Sequence, residues 1–433
     1  MGGGVSYADF IAAKRRRAEQ IGRDCEAGEC HQLLHDWQAE AVAWAVRTGR
    51  CAIFWDCGLG KTFAQLEWAR LSADRALILA PLSVARQTAR EARKIDLDVR
   101  YARTGEDVTG DGIWITNYEM AHHFDMSMFG ALVLDESSIL KNVDGKTRRF
   151  LTEHAREVPL RLACTATPAP NDVAELTNHA EFLGLMRREE MLAAYFVNDE
   201  KEWRLKGHAR APMFKWMASW AHALTRPSDL GYDDTGYDLP PLNVIPEVVD
   251  AEITPGDGQL FATDLGGVGG RAQVRRQTMG PRIERAAKLC AGAEQVIVWC
   301  GLNDEAKAIT AAVDGAVNVE GSWAPDDKAR ALEAFQDGEL RVLVTKPSIA
   351  GFGMNFQNAH RMVFLGLGDS YEQYYQAIRR CWRFGQTKPV DVHVVVSRLE
   401  TAIVQNVKRK EREASRWHRE LVQSMTDKEP VTA

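Results

Sequence analysis

The chain has 433 residues, 45% hydrophobic and 26% charged, enough for two or three domains of ordinary size. No run approaches 18 consecutive apolar residues, which excludes a helix spanning a bilayer. With 54 basic and 60 acidic residues the net charge is −6, so any nucleic-acid contact must come from a local groove and not from a basic domain.

The N-terminus, MGGGVSYADFIAAKRRRAEQ, lacks the apolar core of a secretory signal. Its basic run from Lys14 to Arg17 reads as the solvated face of a charged, helical leader over 1–33. Eight cysteines are scattered, mostly in apolar runs such as CAIFW (Cys51) and VIVWC (Cys300). That pattern suits reduced, buried thiols of a cytoplasmic protein and not a disulfide framework. Cys25, Cys30, His31 and His35 offer four potential zinc ligands, but their spacing matches no standard pair of ligand pairs, and no metal is assigned to them.

Two blocks alternate short apolar strands with amphipathic helices, the pattern of parallel sheets flanked by helices. The first has strands at 51–55, 76–80, 113–116, 131–135 and 160–164, with helices such as 61–72 and 83–95 between them. A helical stretch rich in Trp, Arg and Lys then breaks the rhythm from 171 to 240 and reads as an insertion. The second block has strands at 295–299, 341–345, 361–366 and 390–396, with helices at 303–313, 325–336 and 371–382. The expected fold class is therefore α/β, with two tandem lobes. Lobe 1 covers 34–170 and returns over 241–255; a glycine-rich linker occupies 256–280; lobe 2 covers 281–398, with Pro281 opening a helix. A long charged helix and tail follow from 399 to 433.

The strand CAIFW runs into Asp56-Cys57-Gly58-Leu59-Gly60-Lys61-Thr62 and then a helix, the arrangement of a phosphate-binding loop. Lys61 is expected to reach the β and γ phosphates of ATP, and Thr62 to hold Mg²⁺. The first glycine of the general pattern is replaced by Trp55. Asp135 ends the strand ALVLD and Glu136 follows it, so both fall at the carboxyl edge of the sheet, where ligands bind. There Asp135 can hold Mg²⁺, and Glu136 can orient and deprotonate the attacking water. In the second block Arg380 and Arg383 are three apart, which on a helix places them on one face. The residues alone fit either arginine fingers or a basic helix surface held by neighbouring acids.

In order and spacing these segments resemble a superfamily-2 helicase core of the Swi/Snf type, most like the compact versions carried by phages and prophages. The resemblance runs from about 34 to 400 and implies two RecA-like lobes. Leu34-His35-Asp36-Trp37-Gln38 resembles the adenine-reading Q motif, with Gln38 as reader. DCGLGKT is similar to DEMGLGKT, which brings Gly58, Leu59 and Gly60 to the nucleotide. Ala80-Pro81-Leu82-Ser83 and Ile115-Thr116-Asn117-Tyr118-Glu119 resemble two DNA-tracking motifs, implying contacts from Ser83 and Thr116. Asp135-Glu136-Ser137-Ser138 resembles the DEAH signature with Ser137 and Ser138 in place of Ala-His, so its link to the other lobe is expected to differ. Thr165-Ala166-Thr167-Pro168 is similar to the motif that couples hydrolysis to lobe movement, through Thr165 and Thr167. KPSIAGFGMNF (346–356) resembles a motif touching DNA and nucleotide, with Lys346 and Gly351 toward DNA and Gly353 toward ATP. QAIRRCWRFGQ is similar to QAxGRxxRxGQ, which implies Gln376 as an ATP contact and Arg380 and Arg383 as fingers. Leu239-Pro240-Pro241 resembles the exit from the helical insertion.

The resemblance implies an ATP- and Mg²⁺-dependent motor on DNA, with the duplex gripped by its backbone without sequence specificity. Within the insertion, Arg204 and Lys206 are candidate DNA contacts, whereas Trp203 and Trp216 are expected to pack. The rivals are an RNA helicase, disfavoured by the Gly385-Gln386 ending, and a nucleic-acid-binding scaffold without catalysis, disfavoured by the intact Lys61, Thr62, Asp135 and Glu136. An intracellular bacterial or phage-infected setting is expected.

Overall fold

Runs such as Ala-Leu-Val-Leu-Asp have no polar residue to offer solvent before their last position. They are stable only as strands covered on both faces, which is how parallel sheets are built. The computed structural model describes residues 17–142, 145–199, 203–250, 275–350, 355–368 and 370–427. It divides into two units, 1–234 with 412–433, and 235–411.

The first unit is a seven-stranded parallel sheet in the order β3-β4-β2-β5-β6-β1-β9. Its strands are β1 (Arg50–Trp55), β2 (Arg75–Ala80), β3 (Val99–Tyr101), β4 (Gly112–Asn117), β5 (Ala131–Asp135), β6 (Leu160–Cys164) and β9 (Ala221–Leu224). Helices α1 (Asp36–Thr48), α2 (Lys61–Ser72) and α3 (Leu82–Ala92) cross between strands or lead into them, followed by α4 (Lys146–His154), α5 (Leu176–Leu183), α6 (Arg188–Tyr195) and α7 (Arg210–Met217). Gly49 ends α1 with φ +74°, and its N–H returns to Ala45 O at 2.9 Å, the left-handed stop that glycine permits. A two-stranded antiparallel ribbon, β7 (Phe196–Asn198) with β8 (Trp203–Leu205), lies between α6 and α7.

The 171–240 stretch divides, its residues to 234 grouping with the first unit and the rest with the second. Its last strand, β9, pairs in parallel with β1 from Ala52↔Ala221 to Trp55↔Leu224, and Trp216, Met217 and Trp220 enter the same apolar cluster as Phe54 and Leu132. Trp220 is fully buried, as are Trp55 and Trp68. Removing each such ring from water contributes on the order of 3 kcal/mol, enough to bind this segment to the lobe. Trp216 packs on Trp220 (centroids 5.4 Å) and Tyr195 (6.2 Å), as expected of a packing residue.

The second unit is a six-stranded parallel sheet in the order β10-β15-β14-β11-β13-β12. Its strands are β10 (Leu242–Val249), β11 (Val296–Cys300), β12 (Ala316–Asn318), β13 (Val342–Thr345), β14 (Arg361–Leu365) and β15 (Val390–Ser397). With it go α8 (Met279–Cys290), α9 (Asn303–Ala312), α10 (Pro325–Gln336), α11 (Pro347–Ala350), α12 (Tyr371–Cys381) and the start of α13 (Thr401–Thr426). The expected return of 241–255 to lobe 1 is overturned: β10 pairs along its whole length with β15, from Leu242↔Val390 to Val249↔Ser397. Nothing in a short run of apolar residues says which sheet the strand joins. Pro281 is the third residue of α8, not the first.

The tail does not stand alone. Arg412 onward belongs to the first unit, where Trp417 and Leu421 join its core and Met425 Sδ accepts from Ala223 N at 3.1 Å. The leader, as far as it is described, has no α-helix, and its one regular turn is the short 3₁₀ segment Ala27–Glu29. Among the described residues no helix is long and apolar enough to cross a membrane.

Candidate active site

In the first sheet β5, β6 and β1 are neighbours, and all run the same way. Their carboxyl ends therefore bring three loops together: the phosphate loop after Trp55, Glu136 after Asp135, and Thr165 after Cys164. This is the edge at which parallel sheets bind ligands.

The loop depends on two left-handed glycines, Gly58 (φ +89°) and Gly60 (φ +77°), which turn the chain back into α2. Lys61 opens that helix, and its ammonium donates to the carbonyls of Trp55 (2.9 Å) and Asp56 (3.1 Å), so the cation lies across the loop. Thr62 is partly exposed beside it. Leu59 is buried, and its carbonyl accepts from Gln38 Nε2 at 3.0 Å, while Gln38 Oε1 accepts from His35 N at 2.9 Å. Gln38 thus acts as a reach-back residue at the start of α1 and as a tether of the phosphate loop. It is 4% exposed, and these two bonds leave one amide hydrogen and one oxygen lone pair uncommitted by them.

Trp55, which stands where a glycine was expected, is fixed from behind. Its indole Nε1 donates to His222 Nδ1 of β9 at 2.9 Å, and Trp37 packs against it at 5.1 Å. The His222 contact could not be inferred from sequence, because nothing marks Ala221–Leu224 as a strand beside β1.

Asp135 is buried at the end of β5, and desolvation pushes its carboxyl above the ordinary range, against the opposing pull of Gln65, Lys61 and the Glu136 N–H. A buried carboxylate beside a phosphate-loop lysine fits a divalent cation, which restores favour to the charged form. Glu136 has φ +56° and ψ +53°, one of only two non-glycine residues with positive φ among those described. Such a conformation costs about 1–2 kcal/mol and persists only where its surroundings impose it. Tyr118 Oη donates to Asp135 O (2.6 Å), Thr165 Oγ1 donates to Glu136 Oε2 (3.2 Å), and Thr167 N donates to Thr165 Oγ1 (3.1 Å). Of the two threonines expected to couple this site, Thr165 therefore touches its acid directly and Thr167 reaches it through Thr165. Ser137 and Ser138 are buried, and Ser137 Oγ lies 3.2 Å from His179 Nε2 of α5.

In the second unit α12 stops at Cys381, and Trp382 leaves the helix with ψ +82°. Arg383 thus lies beyond the helix, and the expectation that it shares a helical face with Arg380 is overturned. The reason is local. Trp382 Nε1 donates to Pro240 O (2.7 Å), Gly385 takes φ +90°, and Gln386 Nε2 donates to Gln357 O, Ala359 O and Cys381 O (3.0, 3.0 and 3.2 Å). Gln386 also accepts the N–H groups of Thr387 and Lys388 at 3.0 Å, so the Gly-Gln ending acts as a staple. Arg380 is buried, its Nε donating to Gln376 O (3.1 Å), and Arg383 hydrogen-bonds Asn355 Oδ1. Gln376 is 2% exposed. Arg379 stacks its guanidinium 4.3 Å from the Trp382 ring.

The expected nucleic-acid contacts are dispersed. Thr116 is fully buried in β4. Ser83 lies in the first turn of α3, and Lys346 immediately precedes α11. Arg204 is exposed on β8, whereas Lys206 Nζ is engaged by Ala193 O at 2.8 Å. Gly351 and Gly353 lie outside the described residues. Cys25, Cys30, His31 and His35 do not gather as ligands. Cys25 Sγ bonds to Glu26 O, Cys30 Sγ to Ala39 O and His31 to Asp96, and no metal-holding group occurs among the described residues.

The class defined so far is a parallel α/β lobe with a phosphate loop and acidic strand end, followed in the chain by a second parallel lobe. Residues 282–385, from α8 to the turn after α12, match the helicase conserved C-terminal domain family. A stretch of 87 residues is 33% identical to the bifunctional helicase and thymine dioxygenase JBP2 of Leishmania braziliensis, and equally to that of Leishmania infantum. It is 20% of this chain and 8% of each relative, so the chain aligns with a small part of those proteins. Among solved structures, a Sulfolobus solfataricus SWI2/SNF2 ATPase core in complex with dsDNA aligns over 92% of this chain and 96% of its own, at 17% identity and a TM-score of 0.44.

Proposed function

We propose that the protein is a nucleic-acid-stimulated ATPase that couples hydrolysis between two RecA-like lobes to movement along DNA, most readily duplex DNA. The observation that carries this reading is the convergence of Lys61, Asp135, Glu136 and Thr165 on one sheet edge, in a chain whose second lobe matches a helicase C-terminal domain.

In this reading Lys61 holds the β and γ phosphates, and Thr62 and Asp135 hold Mg²⁺, which when bound neutralises phosphate charge. Glu136, aimed by its left-handed turn, orients the attacking water and takes its proton. Arg380 and Arg383 serve as fingers, which makes hydrolysis depend on closure of one lobe toward the other. Thr165 and Thr167 report the state of Glu136 to that movement. Backbone contacts position such a motor without reading sequence, and Arg204 and Lys346 are the candidate contacts supported by exposure and position. The resemblance of QAIRRCWRFGQ to the Swi/Snf motif supports DNA over RNA.

The test is phosphate release from ATP and Mg²⁺ with duplex DNA, single-stranded DNA or RNA added, beside a triplex-displacement assay. Stimulation by duplex DNA with third-strand displacement is expected. Stimulation by RNA alone would replace the reading with an RNA helicase, and no turnover under any condition would leave a scaffold.

A further inference from the structure

Glu136 must hold a backbone conformation that a glutamate does not choose, and the loop after it shows what imposes it. Ser137 is fully buried, and its hydroxyl meets the ring of His179, itself fully buried, at 3.2 Å. The ring also stands edge-on to Phe54 (5.2 Å, 84°), the residue before Trp55 in the strand that feeds the phosphate loop. Next to His179 on α5, Asn178 Nδ2 donates to Leu140 O at 2.9 Å, holding the far end of the same loop. α5 therefore grips the segment 137–140 at two points, and one grip also touches β1. His179 does not approach solvent, and burial pushes its pKa down to about 4, so near neutral pH it is an uncharged ring.

A polar pair at full burial is costly to maintain unless each member satisfies the other. Apolar packing alone would have served α5 in this core. The position of the pair, directly after the acid and against the phosphate-loop strand, gives the physical reason for a hydrogen bond there: it fixes the direction in which the chain leaves Glu136. We propose that His179 is a positioning residue for hydrolysis, holding through Ser137 the left-handed turn that aims the Glu136 carboxylate. Fully buried, it acts through Ser137 and not on the reacting atoms. The inference rests on the ATPase reading above, in which Glu136 handles the attacking water.

The experiment compares Ser137→Ala, His179→Leu, the double variant and His179→Gln in the full chain, by DNA-stimulated phosphate release, ATP affinity, melting temperature and crystal structure. Misaiming a catalytic group by about 1 Å costs up to ~10²-fold in rate, so each single variant is expected to lower kcat by about 10- to 100-fold with KM for ATP changed less than about twofold. The double variant leaves no orphaned polar partner, so its melting temperature should recover toward wild type while its kcat stays as low as that of the singles. His179→Gln, which retains a polar group for Ser137, should regain part of the rate. Recovery of kcat together with melting temperature in the double variant would show a purely structural pair and overturn the proposal, as would wild-type kcat in folded single variants. A crystal structure of the double variant with Glu136 still at its left-handed φ would overturn it independently of activity. Failure of the wild-type protein to release phosphate sinks the ATPase reading instead, and the crystallographic arm still decides whether His179 sets the turn.

Discussion

The side-chain amide of Gln38 donates to the carbonyl of Leu59 at 3.0 Å, tying the first turn of α1 to the loop that ends in Lys61. A Cβ added to Gly60 would lie 2.3 Å from the same amide nitrogen, so loop and tether are fitted to each other. Replacing Gln38 with Glu turns a donor into a carboxylate facing a carbonyl. We expect that variant to fold, with KM for ATP raised about tenfold, the order of one lost hydrogen bond to a buried acceptor. Steady-state kinetics checks this, and an unchanged KM would show that the tether does not shape the site.

Lys61 sits across the loop with its ammonium on Trp55 O and Asp56 O. Trp55 is buried and Asp56 partly exposed, so loss of the half-buried Lys61 side chain opens a path by which water reaches both carbonyls. Lys61→Ala is therefore expected to stay folded, within about 1 kcal/mol of wild type, and to release no phosphate. Hydrolysis at the wild-type rate would refute the site.

The first lobe's strands were legible because each is a short apolar run: β5 and β6 fall at 131–135 and 160–164 as read, and α2 spans 61–72 as read. The placing of Lys61, Asp135 and Glu136 at one sheet edge was legible for a related reason, since loops that follow parallel strands emerge at the same edge. What escaped was everything that depends on tertiary contact. Ala221–Leu224 is too short and too close to tryptophan-rich helices to stand out as a strand, and with β9 went His222, the partner of Trp55. His179 sits in a short helix with no motif around it, and the role of Tyr118 rests on a tertiary contact, its hydroxyl donating to Asp135 O. The departure of Ser137 from the resembled signature was the one sequence signal pointing toward His179.

Arg380 is held along its own helix by Gln376 O, whereas Arg383 is held beyond the helix end by Asn355. Two arginines set by different supports should respond differently to their surroundings but alike to removal. Arg380→Ala and Arg383→Ala are each expected to lower kcat by ~10³-fold or more if they act as fingers. Asn355→Ala should reproduce a milder form of the Arg383 defect and leave Arg380 untouched. Single-turnover and steady-state measurements distinguish these outcomes, and a change confined to KM would assign the arginines to binding alone.

His222 is buried in β9, and its Nδ1 accepts the indole N–H of Trp55, which requires that nitrogen to be unprotonated. Burial lowers its pKa to about 4, and that of His179 to about 4 as well, from an ordinary value of 6.5. Above pH 6.5 both rings are neutral in the folded and unfolded chain and contribute no pH dependence. As pH falls from 6.5 toward 4 the unfolded chain takes up protons that the folded chain refuses, so stability declines, by up to about 1.4 kcal/mol per pH unit for each ring. Below pH 4 both states are protonated and the decline from this source ends. His222→Gln keeps an acceptor for Trp55 but removes the titration. Its loss of stability between pH 7 and pH 4.5, measured by urea unfolding, should be smaller than that of wild type by about 2 kcal/mol. An equal loss in both proteins would mean that His222 is not held neutral by the fold.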